Sequence, residues 1–195
     1  MRIGIDIDGV LTNIESCILD EGTKFCIENK IPFDINTIDY DEQRVFGWTN
    51  EQTLEFWNKY LVEYATKYPA RKYASDIIHK LKSEGHEIYI ITARNEWGLP
   101  DEAYGKMKEF VNEWLKENDI YYDKIIYTEG SKVPYCVGNY IELMLEDSPK
   151  NVIEISEKIP VLCYNNSYNN NIEGNNIVRV YSWYDIYNKI KKMCK

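Results

Sequence analysis

The sequence lacks any apolar run of about 18 residues, so no membrane-spanning helix is expected. It has no C-x-x-C pair, and its five cysteines (Cys17, Cys26, Cys136, Cys163, Cys194) are scattered and odd in number. They read as reduced thiols, not as a disulfide or zinc framework. Positive charge is scarce: 23 Lys and Arg stand against 32 Asp and Glu, a net charge of −9. Affinity for nucleic acid comes largely from Lys and Arg at phosphates, so a nucleic acid polymer is not an expected partner. A small phosphorylated ligand is not excluded, because one metal ion or one lysine reverses a local field. No secretion-signal pattern opens the chain, and a cytoplasmic location is expected. Without such a signal the Asn165-Asn166-Ser167 sequon carries little. No G-x-G-x-x-G follows the first apolar run, which disfavours a dinucleotide-dependent oxidoreductase, and no internal repeat is visible.

What is present is a globular composition, 44% hydrophobic and 14% aromatic, in 195 residues. That length fits one domain with an insertion. Six short apolar runs, at 2–8, 86–92, 122–127, 141–146, 159–164 and 176–181, read as strands covered on both faces. Helical patterns lie between them. Ala74, Ile77, Ile78 and Leu81 repeat at helical spacing before Gly85, and Met107, Phe110, Val111, Trp114 and Leu115 do so within 101–118. Ser148 with Pro149 opens a helix over 148–158, and Ser182 with Asp185 has capping-box spacing for one over 182–192. Strand–helix alternation predicts an α/β fold with a doubly wound parallel sheet.

Residues 14–69 break the alternation. They read as helices at about 14–30, 38–45 and 50–67, the last with a Thr49/Gln52 capping box. The expected division is a core of 1–13 and 70–195 with a helical cap of 14–69. An insertion after a strand's carboxyl end sits over the place where ligands bind in open α/β sheets. It is read as a lid, with an elaborate crossover as the alternative. The Asn-rich stretch 165–175 reads as a surface loop without assigned function.

Chemistry concentrates at four strand ends. In "IGIDIDGVLTN" (3–13), Asp6 and Asp8 close the first strand, two residues apart and so expected on one face roughly 7 Å apart. Buried carboxylates this close call for a cation or a shared proton. Gly9 permits a tight turn after them. Thr92 ends the second strand in "IYIITAR", followed by Arg94 and Asn95. Lys132 follows the third. Glu146 and Asp147 close the fourth in "MLEDSPKN", where they serve either as helix N-terminal acids or as hard oxygen ligands for Mg²⁺. In a parallel sheet these ends gather at one edge. The set of carboxylates, one hydroxyl and one lysine outlines a metal-assisted phosphoryl-transfer site.

"DIDGVLT" (6–12), "ITAR" (91–94), Lys132 and "EDSPKN" (146–151) resemble, in order and spacing, the four motifs of the haloacid dehalogenase superfamily of phosphatases. The resemblance covers the chain outside 14–69, and the insertion resembles that superfamily's small helical cap. "GHEIYIITAR" and "LMLEDSPKN" are most similar to the bacterial relatives of 5′(3′)-deoxyribonucleotidases, the type C 5′-nucleotidases.

The resemblance implies a Rossmann-like core and Mg²⁺ as cofactor. It implies that Asp6 is the nucleophile, forming an aspartyl-phosphate, and that Asp8 protonates the leaving alkoxide and then activates water. Mg²⁺ would be held by Asp6, the Asp8 main-chain carbonyl and Asp147. Glu146 would act through water, or exchange roles with Asp147. Thr92, Lys132 and the backbone N–H groups of Gly9 and Val10 would receive phosphoryl oxygens. Asp8 disfavours a dehalogenase, which would need neither it nor the metal.

The insertion must then recognise the leaving group. Phe46, Trp48, Phe56, Trp57, Tyr60 and Tyr64 crowd there, either to stack on a base or to form the insertion's own core. Phe46 and Trp48, flanking Gly47 in a predicted loop, are the substrate-contact candidates, with Arg94 and Asn95 reaching ribose or phosphate. The leading expectation is a nucleoside monophosphate phosphatase. A sugar-phosphate phosphatase and a catalytically silent binding module are the alternatives.

Overall fold

A computed structural model describes residues 1–194. Six parallel strands form one sheet: β1 (Arg2–Ile5), β2 (Glu87–Thr92), β3 (Lys124–Tyr127), β4 (Leu143–Glu146), β5 (Val161–Tyr164) and β6 (Ile177–Val180). Their order is β3-β2-β1-β4-β5-β6. Every expected strand forms, each trimmed to the residues that pair. The order reverses direction beside β1, so the crevice outside the carboxyl ends of β1 and β4 is the switch point where such sheets bind ligands. The register aligns Ile5 with Leu145 and Ile90, and the Asp6 N–H continues the ladder to the Leu145 carbonyl at 3.0 Å.

Helices α4 (Ala74–Ser83), α5 (Met107–Glu117), α6 (Val133–Gly138) and α7 (Pro149–Ser156) lie between the strands, and α8 (Trp183–Met193) follows β6. Their apolar stripes cover both faces. Ile77, Ile78, Trp114, Trp183 and Ile186 pack with Ile3, Ile5 and Ile90, while Val152 and Ile155 join Ile91, Met144 and Val161 on the other side. Two expectations are corrected. The helix placed over 101–118 begins only at Met107, because Pro100 and Gly105 (φ +85°) hold the preceding residues in a loop with one short turn. Ser148 stands at the α7 N-cap position but makes no side-chain capping bond; its N–H instead donates to Glu146 Oε1 at 3.1 Å.

The insertion between β1 and α4 folds as α1 (Ile14–Glu28), α2 (Glu42–Phe46) and α3 (Asn50–Lys67), with the Thr49/Gln52 capping box formed. These helices bury a cluster of their own, including Cys17, Phe25, Cys26, Phe46, Trp48, Phe56 and Tyr60. The two chain crossings lie side by side: Thr12 and Ala70 form an antiparallel bridge, and Arg71 Nε donates to the Thr12 carbonyl at 3.0 Å.

Candidate active site

Asp6 leaves β1 still in extended conformation, and its Oδ1 accepts the Ile7 N–H at 2.8 Å. The chain then makes a wide turn over Ile7–Leu11, closed by the Thr12 N–H to the Ile7 carbonyl at 2.9 Å. Gly9 sits in that turn at φ +77°, and a Cβ there would lie 1.8 Å from Asp147 Oδ2. Only glycine meets both demands. The turn overturns the expected placement of Asp8: it is not on the strand beside Asp6 but beyond it, aimed elsewhere.

Lys132 is the centre of the buried charge. Its Nζ lies 2.8 Å from Asp6 Oδ2 and 2.8 Å from Glu146 Oε2, with its side chain 1% exposed. Burial works against the Lys132 charge, but Asp6 and Glu146 outweigh it and raise its pKa. Glu146 Oε1 meanwhile accepts the N–H groups of Asp147 and Ser148. Both Glu146 oxygens are therefore engaged, and this residue holds Lys132 in place. Asp6, Glu146 and Asp147 each bring a carboxylate oxygen within 4.8 Å of the others. Burial, with repulsion from Glu146, pushes the Asp6 and Asp147 carboxyls well up from the usual carboxylate range.

Asp8 pairs with the second buried cation. Arg94 Nη2 lies 2.7 Å from Asp8 Oδ1, and Arg94 Nε 3.1 Å from both oxygens. Tyr64, on α3, donates to Asp8 Oδ1 at 2.6 Å and meets Thr12 Oγ1 at 2.7 Å. Burial alone would raise the Asp8 pKa, but Arg94 and Tyr64 together hold it below its usual value. Thr92 is fully buried; its Oγ1 accepts the Arg94 N–H at 3.2 Å, which leaves the hydroxyl proton for another acceptor.

Four carboxylates (Asp6, Asp8, Glu146, Asp147) thus face two cations (Lys132, Arg94), a deficit of two positive charges in a largely buried place. One divalent cation offsets that deficit, and the donors are the hard oxygens that Mg²⁺ prefers. The residues present fit such an ion. Asp8 opens into a cleft of about 250 Å³ between sheet edge and insertion, walled by Ile14, Trp57, Tyr64, Arg94, Asn95 and Trp97.

The sequence from residue 1 to 194 matches the family model described as 5′ nucleotidase, deoxy (Pyrimidine), cytosolic type C protein. The chain belongs to this type C 5′-nucleotidase family. It is an enzyme, a phosphatase, with the fold of the haloacid dehalogenase superfamily. A nucleotidase of Clostridium acetobutylicum is 28% identical over 199 residues, spanning 99% of this chain and 95% of that protein. A Bacillus cereus protein provisionally named a nucleotidase is 30% identical over 203 residues, spanning 98% of this chain and 99% of its own. Among solved structures, a haloacid dehalogenase-like hydrolase from Streptococcus pneumoniae superposes with a TM-score of 0.65 at 12% identity, covering 100% of this chain and 98% of that one.

Within this nucleotidase-family chain, the four motif groups predicted from strand ends do converge. Gly9 and Val10 are buried in the turn, and Asn95 lines the cleft. Phe46 and Trp48 do not line it. Phe46 ends α2, not a loop; it stacks on Trp48 with ring centroids 4.6 Å apart. They are 2% and 4% exposed, and Trp48 Nε1 donates to Cys26 Sγ. The reason lies on α1, where Gly22 leaves room for the Phe46 ring, which a Cβ would meet at 2.4 Å. Trp48→Ala is accordingly expected to cost about 3–5 kcal/mol of stability by leaving a cavity. It should lower turnover of a nucleotide and of a small generic ester alike. Thermal unfolding and paired kinetics check this; a loss confined to nucleotides would restore Trp48 as a substrate contact.

The residues that strand-end reasoning missed are Tyr64, Arg71, Asn166, Tyr168 and Asn169. Tyr168 Oη donates to the Asp147 carboxylate. Asn169 Nδ2 donates to the Asp147 carbonyl at 2.8 Å, and Asn166 Nδ2 reaches the Gly9 carbonyl at 3.4 Å. The loop assigned no function is therefore part of the site. A signal existed: it follows β5, at the same sheet edge as the other four motifs.

Proposed function

We propose that this phosphatase is a Mg²⁺-dependent phosphomonoesterase of the cytoplasm that hydrolyses nucleoside or deoxynucleoside monophosphates through an aspartyl-phosphate at Asp6. The observation that carries the proposal is the convergence of Asp6, Glu146 and Asp147 within 4.8 Å around Lys132, beside a cleft into which Asp8 opens. The nucleotide preference is supported by the family description, by the relatives' names and by the aromatic walls Trp57 and Trp97.

Asp6, Asp147 and the Asp8 main-chain carbonyl would hold Mg²⁺, while Glu146 acts through Lys132. When bound, the ion would offset carboxylate repulsion and neutralise charge on the phosphoryl group. Lys132 favours the ionised form of Asp6, against burial and the neighbouring carboxylates, and orients it by its contact with Oδ2. Asp6 attacks phosphorus, the ester P–O bond breaks, and Asp8 gives a proton to the departing oxygen. Water then attacks the aspartyl-phosphate as Asp8 takes a proton back. Paired with Arg94, Asp8 is a poor proton donor. A substrate phosphate near Arg94 competes for the guanidinium and frees Asp8 to carry a proton. Thr92 and the Gly9 and Val10 N–H groups are assigned to the phosphoryl oxygens. Helices α1–α3 act as the cap, with Arg94 and Asn95 at the mouth of the cleft.

The test is phosphate release from 5′- and 3′-nucleotides, ribo and deoxy, beside sugar phosphates. EDTA is expected to abolish release and added Mg²⁺ to restore it. Turnover that persists in EDTA would overturn the metal assignment. Activity spread evenly over sugar phosphates would overturn the nucleotide preference and favour a general phosphometabolite phosphatase. No release from any ester would favour a silent binding role.

A further inference from the structure

The loop after β5 reaches the carboxylate that the proposed function assigns to the cation, and it does so with a phenol. We infer that Tyr168 is a positioning residue for Asp147, locking the orientation in which that carboxylate receives Mg²⁺, with Asn169 and Arg179 as the frame that holds Tyr168 there. The inference rests on the metal reading above.

Asp147 stands among like charges, and repulsion from Glu146 and Asp6 favours turning its carboxylate away. Tyr168 Oη donates to Oδ2 and opposes that rotation. Among the described residues no hydrogen-bond donor reaches Oδ1, so this is the oxygen left for a cation. The backbone of Asp147 is fixed from the same loop. Asn169, fully buried, donates from Nδ2 to the carbonyls of Asp147 and Tyr164, each at 2.8 Å. Its own amide oxygen accepts Arg179 Nη1 at 2.7 Å, and its carbonyl accepts Nη2 at 2.8 Å. A side chain bound at both ends cannot swing, so the residue before it is held in register.

The loop also spans the other parts of the site. Arg71 Nη2 donates to Asn166 Oδ1 at 2.9 Å and to the Gly9 carbonyl at 3.2 Å, which ties the loop to the nucleophile turn. On the insertion side, the Ser167 N–H donates to Glu15 Oε1 at 3.1 Å, and the Tyr40 ring meets Tyr168 edge-on at 5.2 Å. Groups that orient a metal ligand typically govern affinity about 10- to 100-fold.

Tyr168→Phe keeps the ring and removes the donor. Its Mg²⁺ affinity, measured by calorimetry without substrate, is expected to fall about tenfold or more. Its unfolding temperature in EDTA should match wild type. Tyr40→Phe, which keeps the edge contact, should bind Mg²⁺ like wild type. Unchanged affinity in Tyr168→Phe would overturn the inference, whether or not its melting point fell. So would tighter binding, which would make the phenol a competitor of the cation. A wild-type protein that binds no Mg²⁺ would overturn the metal reading itself, and this inference with it.

Discussion

Asp6→Asn is expected to lower phosphate release by more than about a thousandfold while leaving the fold in place. An amide has no negative oxygen to attack phosphorus. Its oxygen can still accept one of the two bonds that Asp6 makes, from the Ile7 N–H or from Lys132. Its NH2 group then faces the other donor, a local penalty. Against that, the substitution removes one charge from a crowded buried set, so the net change in stability should be small. Steady-state release from the preferred ester, with circular dichroism and thermal unfolding alongside, checks both halves. Retained turnover in a folded variant would remove Asp6 as nucleophile.

Lys132→Met is expected to damage activity and stability together. Lys132 is the cation between Asp6 and Glu146, at 2.8 Å from each, with its side chain 1% exposed. Taking it away leaves two buried carboxylates facing each other. Breaking a buried ion pair from one side typically costs about 3–5 kcal/mol, because the remaining charge is uncompensated. In a chain of this size that corresponds to a fall in unfolding temperature on the order of 10 °C. Loss of a positive group beside the phosphoryl site should also lower kcat by about a hundredfold or more. Differential scanning calorimetry and kinetics measure the two effects. A variant as stable as wild type would mean that Lys132 does not hold the carboxylates together.

The sequence alone carried much of the plan. The six strands were legible because parallel strands buried on both faces must be near-continuous apolar runs, and this depends on nothing distant in the chain. The helices α1, α3, α4 and α8 were legible from periodicity and caps, which are equally local. The chemical groups were legible for a related reason: Asp6, Thr92, Lys132 and Asp147 each stand at or just after the end of an apolar run, and a parallel sheet brings such ends to one edge.

What the tertiary structure decided were contacts between segments with no shared local pattern. Asp8 meets Arg94 and Tyr64 across separations of 86 and 56 residues. That pairing depends on the turn at Gly9 carrying Asp8 off the strand, which two aspartates at alternate positions do not reveal. Phe46 and Trp48 could have faced a ligand or their own helices. They turn inward because Gly22, on another helix, leaves space for the Phe46 ring. The loop at 165–175 looked inert because asparagines on a surface and asparagines that bind buried backbone carbonyls read the same in one dimension. Burial separates them: Asn169 satisfies carbonyls that would otherwise lose their partners away from water, and it thereby brings Tyr168 to Asp147. Composition and periodicity set which groups end at the active edge of the sheet. Close packing and the pairing of buried polar groups decided which of them touch.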